Sequence, residues 1–137
     1  MKINIITIGT FKNKDYYGYL FNEYKKRMNW NINLIEIKQK NYQNIELQKI
    51  NEEKLLMAHH DINNKLVVLD ERGKIISTTD FENVLSNFEM NGEIDFIIGG
   101  SDGLSQNIRD KADFMLSFGK MVFPHLMVRV MLIEQIY

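Results

Sequence analysis

The sequence predicts an α/β fold with a mainly parallel sheet flanked by helices, and three observations predict it. Short β-branched runs alternate with amphipathic segments from one end of the chain to the other. One run, "KLVVLD" from Lys65, is apolar without alternation, as in a strand covered on both faces. Another, "EIDFIIGGSDGLS" from Glu93, drives into a glycine turn and a new periodic segment. That is a strand–turn–helix unit of the kind that holds ligands at the carboxyl end of a sheet.

The elements follow in order. "KINIITI" (Lys2 to Ile8) is short, β-branched and closed by Gly9: a first strand. From Asp15 to Met28, Tyr16, Leu20, Phe21, Tyr24 and Met28 fall at helical spacings. "NINLIEI" alternates again as a second strand, and Asn44 to His59 reads as a second, rather polar helix. After the third strand, "ERGK" is expected to turn the chain. Thr79 and Glu82 have the spacing of a capping box, opening a helix through Phe81, Val84, Leu85 and Phe88 that stops at Asn91–Gly92. The fourth strand follows, then a helix from about Ser105 and a fifth strand in "DFMLSFG". Pro124, the only proline, marks the start of the last helix, where its missing N–H is harmless. Periodicity does not give the strand order.

At 137 residues the chain is most simply one domain, long enough to bury a core. Its formal net charge of -1 carries none of the basic excess that free nucleic-acid binding uses. Lys25–Lys26–Arg27 and Lys38 with Lys40 form local basic clusters, which usually mean a solvated helix end or strand rim. Without cysteine there is no disulfide and no thiolate metal site. His59, His60 and His125 lack metal-ligand spacing, so no metal is expected. The apolar segment "MVFPHLMVRVMLIEQIY" is broken by His125, Arg129 and Glu134, so it is no membrane span. "MKINIITIGT" has no signal-peptide pattern, and a cytoplasmic protein is the expectation.

The ligand is constrained by what is missing. Gly99, Gly100 and Gly103 do not make the dinucleotide fingerprint, because Ser101 stands where its second glycine belongs. A phosphate loop is equally unsupported: G-K-[ST] is absent, and Asp102 would repel a phosphate. A lone glycine turn is often only a turn. Here a second glycine-bearing strand end, "SFGKMVF", and "VLDERGK" after the third strand would converge with it on one pocket. Leu69, Phe118, Met121 and Phe123 would line that pocket, and free backbone groups would read a heterocycle. Such a site suits an uncharged base with an amphoteric tail and no phosphate.

"LVVLDERGK", "DFIIGGSDGLS", "LSFGKMVFPHLMVRVMLIEQIY" and the opening "INIITIG" closely resemble the ribosomal large-subunit pseudouridine methyltransferases of the SPOUT class, in order from Met1 to Tyr137. The resemblance implies a trefoil knot near the C-terminus, a homodimer, and S-adenosyl-L-methionine (AdoMet) as methyl donor. It also implies a pseudouridine of 23S rRNA in the ribosome as acceptor, methylated at its ring N(3). Because connections almost never thread one another, the knot rests on the resemblance alone. Carried over by position, the cofactor would meet Leu69, Gly99 and the wrap Phe118, Gly119, Lys120, Met121, Val122, Phe123. In the family the last helix usually continues into an arginine-containing segment and a tail with a tyrosine–histidine pair. This sequence ends at Tyr137, so residues 1–137 are expected to form a single SPOUT domain without that tail.

Methyl transfer to a ring nitrogen needs alignment, a dry pocket and a base for the nitrogen's proton. His125 and Arg129 stand four apart on the last helix, hence on one face. Arg129 would either meet substrate or pair with a carboxylate such as Glu134 across a dimer. His125 would serve as base, or only in packing and capping. Asp102 would accept a proton or bind the cofactor's amino group; an acid in such a loop more often caps the next helix. The last helix is apolar nearly all round, which suits a dimer interface. Two other readings remain open: a non-catalytic dimer of this fold that binds AdoMet, and an unrelated α/β small-molecule binder.

Overall fold

A computed structural model describes residues 1–11, 15–38, 44–90, 92–99 and 103–137. Strands β1 (Lys2–Ile8), β2 (Asn31–Ile37), β3 (Lys65–Ile75), β4 (Glu93–Ile98) and β5 (Phe114–Ser117) alternate with helices α1 (Tyr16–Lys26), α2 (Ile45–Met57), α3 (Thr78–Glu89), α4 (Gln106–Lys111) and α5 (His125–Ile136). The strands form one sheet in the order β2-β1-β4-β3-β5, and every pairing is parallel.

Alternation of side chains along each strand divides the apolar residues between two faces. Ile3, Ile5, Val67, Phe96 and Leu116 pack with Phe21 of α1, Phe81 and Leu85 of α3, and Leu132, Ile133 and Ile136 of α5. On the other face, Ile6, Ile8, Leu66, Val68 and Ile97 pack with Leu56 of α2 and Ile108 of α4. Leu66 and Val68 therefore face one layer and Val67 the other, which is why "KLVVLD" shows no alternation.

Two local expectations are corrected. "ERGK" does not end the third strand. β3 runs on to Ile75, and its pairing with β5 slips so that Leu69 and Lys74 both stand opposite Leu116. Residues 70–73 leave the ladder as an extended bulge. The chain returns so close to β5 that a Cβ on Gly73 would lie 2.7 Å from the carbonyl carbon and oxygen of Met115, so only glycine fits. The capping box that opens α3 uses Ser77 and Asp80 rather than Thr79 and Glu82, each side chain bonding the other's backbone N–H. α4 is capped by Ser105, whose hydroxyl accepts from Ile108 N; Asp102 and Lys40 lie outside the described residues.

Polar side chains cross the sheet near its amino end. Asp95 of β4 is fully buried. Its carboxylate accepts from Asn4 Nδ2 at 2.8 Å, the Asp61 N–H at 3.1 Å and Asn64 Nδ2 at 3.2 Å, and lies 2.7 Å from His60 Nδ1. Asn4 also donates to Glu93 and accepts from Asn33, extending the row from β4 through β1 to β2. An apolar replacement of Asp95 strands one buried donor and several part-buried ones at once. Asp95→Ala is therefore expected to lower stability by roughly 3 kcal/mol, read from the urea midpoint at unchanged slope. A loss below about 1 kcal/mol would mean the surrounding donors find water.

Candidate active site

Because β4, β3 and β5 are consecutive in the sheet, their carboxyl ends lie side by side. They open on a cleft of about 750 Å³. Leu69 comes from β3 and Gly99 from just after β4; Phe118, Gly119, Met121, Val122 and Phe123 come from the segment after β5. Seven of the eight residues carried over for the cofactor thus border one cavity. Lys120 is exposed and is not among the residues bounding it.

Each wall has a local cause. Ser117, buried at the end of β5, donates its hydroxyl to Gly119 O and accepts from Gly119 N, closing the turn after the strand. Gly119 takes a φ of 119° and Gly103 a φ of 81°, and open space lies where either Cβ would stand. Gly99 is a glycine for a different reason. A Cβ there would meet the buried Leu104 side chain at 2.8 Å, so this position is fixed by packing within the loop.

The cleft also carries charges that the apolar reading overlooked. Asp70, Glu71 and Arg72 of the bulge border it, and Lys49 reaches it from α2. Arg72 grips Asp70 through Nε at 2.8 Å, Nη2 at 2.9 Å and its own backbone N–H at 2.9 Å. Burial works against ionisation of Asp70. The bonds and charge of Arg72, with the charge of Arg109, nonetheless hold its carboxyl below the usual carboxylate range.

His125 and Arg129 part company in the structure. His125 borders the cleft, and burial, then the charge of Arg129, lower its pKa from the ordinary 6.5. Arg129 has no exposed surface and lies at neither a pocket mouth nor an RNA-facing surface. Its partner is Glu36 of the same chain rather than Glu134, with Nη1 donating to Oε2 at 3.0 Å. Nη2 donates to Ile8 O and Gly9 O at 2.8 Å each, and the guanidinium stacks 4.8 Å from the Phe11 ring centroid. Burial pushes its pKa below the ordinary value, against the pull of Glu36. Gly9, at a φ of 95°, lets both side chains approach: a Cβ there would stand 3.3 Å from Arg129 Nη2 and His125 Nε2.

Sequence reasoning missed Glu36, Ser117 and the Asp70–Arg72 pair. Ser117 had a legible signal, a hydroxyl residue two positions before a turn glycine. Nothing along the chain joins Glu36 to Arg129, which are 93 residues apart. Lys26 and Arg27 of the basic cluster both pair loosely with Glu23. Among the described residues no group of three His, Cys, Asp or Glu is placed to hold a metal, and no helix is long and apolar enough to cross a membrane.

Breaking one side of this pair, in which Arg129 is buried and Glu36 partly exposed, leaves an uncompensated charge or unpaired carbonyls. Glu36→Gln and Arg129→Met should each cost roughly 3 kcal/mol. The double variant should lose less than the sum, by about 1 kcal/mol or more, in a urea-denaturation cycle. Additive losses would mean that the two groups act independently.

Comparison with known proteins accords with this geometry. The family model described as "Predicted SPOUT methyltransferase" matches residues 1–137. The chain is 38% identical to the "Ribosomal RNA large subunit methyltransferase H" of Clostridium botulinum (strain Loch Maree / Type A3), over 100% of this chain and 92% of that protein. It is 40% identical to the protein of the same name from Caldicellulosiruptor bescii, over 98% of this chain and 91% of the relative. An unrelated α/β binder is thereby set aside, and the chain belongs to the SPOUT methyltransferase family of enzymes.

Proposed function

We propose that the chain is an AdoMet-dependent methyltransferase that modifies N(3) of a pseudouridine in 23S rRNA within the ribosome, acting as a homodimer with a C-terminal trefoil knot. The observation that carries the cofactor reading is the meeting of three adjacent strand ends at one cleft, in a chain of a methyltransferase family. The rRNA substrate is supported by the printed name of the relatives.

The lining fits the cofactor. Leu69, Phe118 and Phe123 offer apolar walls, and Gly103 and Gly119 leave room where side chains would stand. Gly99, Met121 and Val122 would complete the enclosure, with Lys120 a link in the wrap. When bound, AdoMet supplies an electrophilic methyl group on a sulfonium. The residues around it hold, orient and exclude water, and a proton must leave the acceptor nitrogen. His125 is the group we assign to receive it, because its lowered pKa keeps the imidazole neutral at neutral pH. Arg129 serves this site from beneath, by holding α5 against the ends of β1 and β2.

The knot is supported by the path of the chain, which leaves edge strand β5 and returns across the sheet so that α5 packs on α1 and reaches the end of β1. A second cleft, of about 400 Å³, lies between α1, α5 and the start of α3. Its walls include Leu20, Ile75 and Met131, and with the nearby exposed Tyr16 and Tyr19 it makes the apolar face that a second subunit would cover. A net charge of -1 favours recognition of a folded particle by shape over binding of free RNA.

Titrating AdoMet into the protein and following tritiated methyl incorporation into ribosomal particles tests the reading; binding without transfer would leave the non-catalytic dimer. His125→Gln should cut methyl transfer roughly 100-fold with cofactor affinity within a few-fold. Protonation of His125 removes the acceptor. The wild-type rate should therefore fall as pH drops below 6.5 through the lowered pKa, and the variant should lack that limb. Equal loss of binding and transfer would make His125 a packing residue. Leu20, 44% exposed in one chain, provides a test of assembly. Leu20→Glu should give folded monomers by light scattering, and a stable dimer would put the interface elsewhere.

A further inference from the structure

The bulge of β3 is built at the one place where the strand meets the cleft. Residues 70–73 leave the ladder between two pairings with the same residue, Leu116, and Gly73 alone permits the return. The excursion brings a carboxylate and a guanidinium to the cleft wall as a pair. Their exposure differs sharply: the Asp70 side chain is 4% exposed, and that of Arg72 is 49% exposed.

Resting on the AdoMet reading of this cleft, we propose that Asp70 and Arg72 recognise the amino-acid end of the cofactor by exchanging their mutual ion pair for its zwitterion. An α-amino acid offers one ammonium and one carboxylate on a single carbon, the charges that Asp70 and Arg72 now satisfy in each other. Arg72 turns its planar fork from Asp70 to the ligand carboxylate, a geometry guanidinium matches with two parallel bonds. Asp70 stays where it is, because the backbone N–H of Arg72 holds Oδ1 at 2.9 Å whatever the side chain does. Its freed oxygens then take the ammonium. In the absence of ligand, the internal pair keeps the nearly buried carboxylate from standing unpaired. The adenosine end is read elsewhere, by the apolar and glycine wall after β5.

Calorimetry on the full chain with two probes separates the ends: S-adenosylhomocysteine carries the amino-acid tail and methylthioadenosine lacks it. Arg72→Ala should weaken S-adenosylhomocysteine roughly tenfold and leave methylthioadenosine within about twofold. Asp70→Asn should show the same selectivity, with circular dichroism confirming that both variants fold. Several outcomes would overturn the assignment while the cofactor reading stands: equal weakening of both probes, no weakening of either, or the selective loss appearing in Lys49→Ala instead. If wild-type protein binds neither probe, the cofactor reading fails and this assignment falls with it.

Discussion

A single buried guanidinium ties the last helix to the first two strands. Arg129 spends its donors on two successive carbonyls at the end of β1 and on a carboxylate of β2. The chain reaches this point only after passing along the whole sheet and back. Among the described residues, this tie is what fixes α5 by polar bonds against the end of β1, where pairing with β4 has stopped. His125, one turn earlier, takes its place at the cleft from the same anchorage, and Gly9 provides the clearance both need. The arrangement relies on the bonds of Nη1 and Nη2, with Nε left unpaired, since a lone cation at such depth would cost several kcal/mol, roughly.

A different polar solution operates at the other end of the sheet. Asp95 gathers a strand neighbour, a turn N–H and two side chains from the segment between α2 and β3. It is a carboxylate surrounded by donors, with Asn4 acting as both donor and acceptor in the row. The two ends are therefore locked by groups of opposite charge. The apolar layers between them fix which face each strand presents, and the polar ends fix the depth at which helices and turns dock.

Much of this was legible along the chain. Strands β1 and β2 were bounded correctly from β-branched runs, and the unalternating "KLVVLD" foretold a sheet covered on both faces. The convergence of three strand ends was legible too, because glycine punctuation after a buried run is a local signal. What escaped was set by distance or by competition. Glu36 and Arg129 meet only through the fold. "ERGK" has turn composition, yet tertiary pairing with β5 carries the strand through it and expels four residues. The capping box went to Ser77 and Asp80 over Thr79 and Glu82 because both pairs satisfy the spacing, and a two-residue offset decides between them.

The bulge also has a consequence for how this site can change. Since Leu116 pairs on both sides of it, β5 runs on without interruption while β3 alone takes up the register shift. Side chains at 70–72 stand outside the pairing with β5, so their exchange leaves the ladder and the turn that Ser117 closes as they are. Only Gly73, pressed against the β5 backbone, is barred from drifting. The strand thus carries an insulated cassette: ligand-facing chemistry that selection or a protein engineer can rewrite while the scaffold on either side stays in register.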